Sequence, residues 1–136
     1  MNPFRRLLLL LTLGSSTALA AEVAKISPAE AAKLVAQGKA VLVDVREPSE
    51  WVESGVAAPA VLLPKSEFDA GQAGDWKTFL AQVSGKQVIT YCRSGKRAGV
   101  VAEALAAKGL KTANAGGFND WQAAGLPVRK FPGEKK

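Results

Sequence analysis

Apolar residues along this chain fall into short blocks whose period changes from one block to the next. Residues 40–45 are apolar throughout except for Asp44, and residues 87–91 bring Val88, Ile89 and Thr90 up to Tyr91. Short unbroken runs of this kind predict strands buried on both faces, the mark of a parallel sheet. Before the first run, residues 28–37 predict a helix that Ser27 can cap, with Pro28 in its first turn, Glu30 able to complete a capping box and Gly38 as its stop. After it, residues 50–55 predict a short helical turn carrying Trp51 inward, and residues 60–63 a short strand ended by Pro64. Residues 66–83 hold two helical pieces divided by a loop over 71–74. Asp75 is placed to cap the second piece, and its Trp76, Phe79, Leu80 and Val83 recur at core-facing spacing.

The second strand run leads at once into another helical pattern, residues 98–108, stopped by Gly109. Its expected buried stripe is Val100, Val101, Ala104, Leu105 and Leu110. Residues 111–115 predict a last strand, Gly116 and Gly117 a sharp turn, and residues 118–124 a closing helix with Trp121 inward, ended by Gly125 and Pro127. Strands alternating with helices predict an α/β fold, a mostly parallel central sheet of about five strands with helices on both faces. No G-x-G-x-x-G is present, so the glycine pair carries no dinucleotide site.

The first twenty residues follow another pattern. Arg5 and Arg6 precede an apolar run over residues 7–13, and Ala18 and Ala20 supply small residues at the end. This is the layout of a secretory signal peptide, and the apolar run is far below the ~18 residues of a membrane-spanning helix. Export with cleavage after Ala20 is expected, to the periplasm where the source has an outer membrane, with no stable membrane association afterwards. Residues 21–136 then form one domain with a core over about 27–128, and the 48% hydrophobic content is that of a folded chain rather than a disordered one.

Charge and residue usage narrow the chemistry. Loss of Arg5 and Arg6 leaves 16 basic against 12 acidic residues, a modest surplus with no aromatic-interleaved basic stripe, so nucleic acid is not an expected partner. The sequence does not fix the oligomeric state, and a monomer is favoured. Histidine is absent, which excludes Cys–His nucleophile pairs, histidine bases and most zinc sites; no metal or cofactor is expected. The single cysteine, Cys92, cannot form an internal disulfide. A free thiol in an oxidising compartment is a hazard unless it is used.

Cys92 stands where the second strand run ends, followed by Arg93, Ser94, Gly95, Lys96 and Arg97 before the helix begins. Gly95 permits a tight turn, whose successive N–H groups point inward. The helix N-terminus adds partial positive charge, and Arg93, Lys96 and Arg97 add full charges. Thiolates and anions are both favoured there. The plainer alternative, a small buried hydrophobe at a strand end, does not account for three cations within five residues.

The loop Cys92-Arg93-Ser94-Gly95-Lys96-Arg97 resembles that of the rhodanese family, sulfurtransferases with a catalytic cysteine on an α/β domain. Two further blocks carry the resemblance: Leu42-Val43-Asp44-Val45-Arg46-Glu47 with Glu50-Trp51, and Asn114-Ala115-Gly116-Gly117 with Trp121, Gly125, Pro127 and Val128. It implies that Cys92 takes sulfur from thiosulfate or a similar small anionic donor as a persulfide. The sulfur then passes to cyanide or a thiol, with a protein thiol as a further possible acceptor. Amides of Arg93 to Arg97 would hold the anionic sulfur, and Arg93, Lys96 and Arg97 the donor's sulfonate. Asp44 and Arg46 are expected to tie loops together as structural support, through an ion pair with Glu50 or Glu47. Where the family has histidine, glycine and asparagine this chain has Val56, Pro59 and Leu62, which puts the local backbone path in question. Two alternatives stand beside this reading: a noncatalytic module binding an anion or a partner, and a phosphatase or arsenate reductase on the same fold. Phosphatase-type relatives place the arginine one residue later, where this chain has Ala98.

Overall fold

The computed structural model describes residues 23–71 and 74–133. The expected signal peptide lies outside the described residues. The elements in order are β1 (Ala24–Lys25), α1 (Pro28–Ala36), β2 (Ala40–Asp44), α2 (Pro48–Ser54), β3 (Val56–Ala57), β4 (Val61–Leu62), α3 (Lys65–Asp69), α4 (Asp75–Gln82), β5 (Gln87–Cys92), α5 (Lys96–Ala107), β6 (Thr112–Gly117), α6 (Phe118–Ala123) and β7 (Val128–Arg129). Five strands form one parallel sheet in the order β1-β6-β5-β2-β4, and β3 pairs antiparallel with β7 apart from it.

Side-chain alternation explains why the strand runs are apolar without a break. On β2 and β5, Leu42, Ile89 and Tyr91 enter one core with Ala31 of α1 and Phe118 and Trp121 of α6. Val43, Val88 and Cys92 enter the other, with Trp76 of α4 and Val101 and Leu105 of α5. Both faces of the sheet are therefore covered, as parallel strands require. Two hydroxyls buried in the second interface find helix carbonyls: Thr90 Oγ1 donates to Ala98 O at 2.8 Å and Thr112 Oγ1 to Ala102 O at 3.0 Å.

Several local expectations are corrected. The helix after the thiol loop begins at Lys96, two residues earlier than its pattern suggests. Val100 is 48% exposed, because the inward stripe is Ala98, Val101, Ala102 and Leu105, and Val100 falls out of that phase. Asp75 opens α4 as its first residue, with Gly74 at the cap. β1, β3 and β7 were not visible in the sequence, since two residues carry no period. The departure at Val56 is explained by β3, where Val56 is buried and pairs with Arg129.

Topology positions the site. From β2 the chain moves outward to β4, and from β5 it moves the opposite way to β6. The loops leaving the carboxyl ends of β2 and β5 therefore diverge, which opens the crevice where sheets of this kind bind ligands. Asp44 and Tyr91 are register partners at that point, immediately before Arg46 and Cys92.

Candidate active site

Cys92 closes β5 with its side chain fully buried in the core shared with α5. The Gly95 N–H turns back and donates to Cys92 Sγ at 3.0 Å. That turn needs Gly95 in the left-handed region, at φ 95°, and a Cβ there would stand 3.2 Å from Gly116 Cα. The twelve-residue α5 starts at the next residue, so its positive end faces the loop.

Three contacts hold the loop in this shape. The Arg97 guanidinium forks onto Glu50, Nη1 to Oε2 at 2.8 Å and Nη2 to Oε1 at 2.7 Å. Glu50 Oε2 also accepts the Glu47 N–H at 2.8 Å. The Arg97 hydrogen bonds, more than any other cause, pull the Glu50 carboxyl from 4.5 down to about 2, and the same bonds raise the Arg97 pKa. Asn114 Nδ2 donates to Gly95 O at 2.9 Å while its Oδ1 accepts the Gly116 N–H at 2.9 Å, an Asx-type turn at the end of β6. Gly117 packs flat on the loop: a Cβ there would lie 2.2 Å from Arg93 O. Here the β5–β6 register slips between Thr90 and Cys92, so that β6 holds one more residue than β5 and bends around the loop.

The pairing expected for Arg46 is corrected. Its partner is Asp44, two residues back on the same strand face. Nε lies 3.1 Å from both carboxylate oxygens and Nη2 lies 2.8 Å from Oδ2. Glu50 is instead taken by Arg97, and Glu47 accepts from Ser66 N and Oγ at 3.2 and 2.8 Å. Arg46 also donates to Ser54 Oγ and Gly55 O, both at 2.8 Å, and its guanidinium carbon sits 4.4 Å from the Phe118 ring centre. With 3% and 0% exposure this buried pair clamps β2, α2 and α6 beneath the crevice. Tyr91 completes the clamp by accepting the Ala57 N–H at 3.0 Å, and burial, with the charge of Asp44, raises its phenol pKa so that it stays neutral.

Arg93, Ser94 and Lys96 are exposed, and among the described residues neither Arg93 nor Lys96 is in an ion pair. Arg93 lines a cavity of about 120 Å³ with Arg46, Glu50, Phe118 and Asn119. A larger cavity of about 490 Å³ borders Ser94, Gly95 and Lys96. Sequence reasoning did not place Asn114, Ser54 or Asp120, whose Oδ2 accepts the Gly117 N–H at 2.9 Å, in this network. An Asn beside a Gly-Gly turn was the available signal for Asn114; Ser54 and Asp120 carried none.

Residues 27–124 match the rhodanese-like domain family. The chain belongs to that family. It is 37% identical over 94 residues to the thiosulfate:glutathione sulfurtransferase of Saccharomyces cerevisiae, a match covering 62% of this chain and 66% of the relative. A second curated relative, from Synechocystis, is matched over 55% of its length, so the chain spans less than two thirds of either protein. A rhodanese-related protein of Thermoplasma volcanium has the same fold at TM-score 0.63 and 27% identity, covering 77% of this chain and 96% of that one. A Rhodopseudomonas palustris protein described as a possible tyrosine phosphatase superposes at TM-score 0.66 and 25% identity, covering 79% and 85%. Within this rhodanese-like domain, Cys92 occupies the thiol loop at the carboxyl end of the central strand.

Proposed function

We propose that this protein is an exported sulfurtransferase that carries sulfane sulfur on Cys92. The Cys92 thiolate attacks the outer sulfur of thiosulfate or a similar donor; the donor's S–S bond breaks, and its electron pair leaves with sulfite. An acceptor, cyanide or a thiol, then attacks the outer sulfur of the Cys92 persulfide, and Cys92 departs as thiolate. No external oxidant or reductant is needed.

The observation that carries this reading is the 3.0 Å hydrogen bond from Gly95 N–H to Cys92 Sγ, inside a loop braced on both sides by Glu50 and Asn114. The persulfide's outer sulfur would lie about 2 Å beyond Sγ. There the positive end of α5 favours its negative charge. The donor's sulfonate falls to Arg93 and Lys96, because neither is in an ion pair among the described residues; the Arg97 fork is held by Glu50. Arg97 follows Lys96 directly and precedes Ala98, the short loop spacing that suits one sulfur atom better than a phosphoryl group.

Thiocyanate formation from thiosulfate and cyanide tests the reading. The wild-type protein should turn over, Cys92→Ser should not, and neither should hydrolyse p-nitrophenyl phosphate at a comparable rate. Phosphatase turnover without thiocyanate formation would contradict it. For export, sequencing of protein recovered from the exported fraction should begin at Ala21, and a retained Met1 on all of the protein would contradict it.

A further inference from the structure

We propose that the pole of the domain opposite the thiol loop docks reversibly on an anionic lipid surface, through five lysines gathered where the sheet begins. The inference stands apart from the sulfurtransferase reading and holds or fails without it.

The chain repeats the feature. Three parallel strands are entered through a glycine turn and a lysine: Gly38-Lys39 before β2, Gly85-Lys86 before β5, and Gly109 followed by Lys111 before β6. These strands are neighbours in the order β6-β5-β2, so their lysines line up along one end of the sheet. The backbone shows the row directly. Lys39 O accepts the Gln87 N–H at 3.1 Å and Lys111 O accepts the Val88 N–H at 2.9 Å, which places Lys39 and Lys111 on either side of the start of β5. Lys33 in the last turn of α1 and Lys108 at the end of α5 reach the same pole, because those helices end just before β2 and β6.

All five are exposed, and Lys33, Lys39, Lys86 and Lys111 are in no ion pair among the described residues. Residues 33–41, 82–90 and 105–112, which form this pole, contain no Asp or Glu. Residues 21–136 carry 16 basic and 12 acidic side chains; without these five lysines the balance is 11 to 12. The whole positive surplus of those residues therefore sits at one end. The attraction of a lysine for the negative end of a helix accounts for Lys33 and Lys108. It does not account for Lys39, Lys86 and Lys111, which lead into strands.

What the pole lacks decides which anion fits it. A Cβ at Gly38, Gly85 or Gly109 would meet nothing within 4 Å, so the turns stand open and enclose no ligand. Every cation there is a lysine, a point charge, with no arginine fork to grip a shaped phosphate. Docked proteins bury aromatic or apolar anchors and use few lysines, whereas the exposed large apolar side chains among the described residues, Val52, Val61, Val100 and Val128, all lie outside these segments. A plane of negative headgroups needs none of these: each lysine brought near it adds attraction, and the sum is reversible and sensitive to salt. Cys92 closes β5 at the far end from Lys86, about 20 Å away at ~3.3 Å per residue, so the docked domain turns its thiol loop away from the lipid.

Vesicle sedimentation tests it, with protein purified after expression of the full chain and vesicles of phosphatidylcholine alone or with about 30% phosphatidylglycerol. Wild-type protein should sediment with the anionic vesicles and not with the neutral ones, and about 0.5 M salt should release it. Lys39→Gln, Lys86→Gln and Lys111→Gln combined should lower the partition coefficient about fiftyfold or more. Lys25→Gln, Lys77→Gln and Lys130→Gln remove the same charge from exposed positions elsewhere and should lower it less than about fivefold. Thermal melts verify that both triple variants fold. Wild-type protein that ignores the anionic vesicles overturns the inference, as does equal binding to both compositions or an equal loss in the two triple variants. Lysine-dependent binding to polyglutamate with none to vesicles also overturns it and assigns the pole to an acidic protein.

Discussion

Arg97 and Glu50 stand 47 residues apart in the chain and meet in a forked ion pair with bonds of 2.8 and 2.7 Å. The pair fastens the last residue of the thiol loop to α2. It engages both Nη groups of Arg97 with Glu50 while leaving the other guanidinium N–H groups free among the described residues, and we propose that Arg97 positions the loop. Glu50→Ala and Arg97→Ala break the same link. Each should lower kcat/KM for thiosulfate about tenfold, and the double variant should fall little further. If Arg97→Ala were severe while Glu50→Ala left kcat/KM at the wild-type value, Arg97 would be holding the donor itself.

The same pair predicts how stability depends on pH. The Glu50 carboxyl is held at about 2 against an ordinary 4.5, so the unfolded chain binds the proton first as pH falls. The contribution is complete above about pH 4.5 and is lost as pH drops through 2. With 20% and 31% side-chain exposure the pair is partly screened, so the loss should be on the order of 1–2 kcal/mol. Urea titrations at pH 6 and pH 3 should show it for the wild type and show a smaller change for Glu50→Gln.

Arg93 is the exposed guanidinium of the loop and is in no ion pair among the described residues, so its removal should act on the donor alone. Arg93→Ala should raise the KM for thiosulfate about tenfold, with little change in Tm. Thermal melts beside the kinetics separate this from a folding defect. A variant with wild-type KM would assign the sulfonate to Lys96.

Asp44 and Arg46 answer to a different physics, because both are buried. Asp44→Asn leaves the Arg46 charge uncompensated under the Phe118 ring and should cost about 3–5 kcal/mol, a fall in Tm of more than about 10 °C. Calorimetry checks it. Arg46→Met in the same background should recover part of the loss by removing the orphaned charge.

The parts of this fold written in apolar period were legible, and those written in single contacts were not. The runs at 40–45 and 87–91 become β2 and β5, and the strand-to-helix turn after Cys92 is visible because strand and helix periods abut there. The helix start was misplaced because Lys96 and Arg97 carry no apolar signal. Val100 was misassigned because three valine and alanine phases compete on that helix. Charge pairing was the least legible feature. Glu50 reaches Arg97 only through the placement of α2 against the loop, and Asp44 reaches Arg46 because residues two apart at a strand end share a face. Asn114 was visible as part of a motif, but its double hydrogen bond to Gly95 and Gly116 depends on a register slip that no local pattern encodes.

The central claim is that Cys92 carries sulfur, and intact mass spectrometry tests it most directly. Protein treated with thiosulfate should gain about 32 Da, one sulfur atom, and lose it again on addition of cyanide, with thiocyanate released. Cys92→Ser, checked for folding by thermal melt, should show neither change. A wild-type mass unmoved by thiosulfate, or the same gain on Cys92→Ser, would contradict the account.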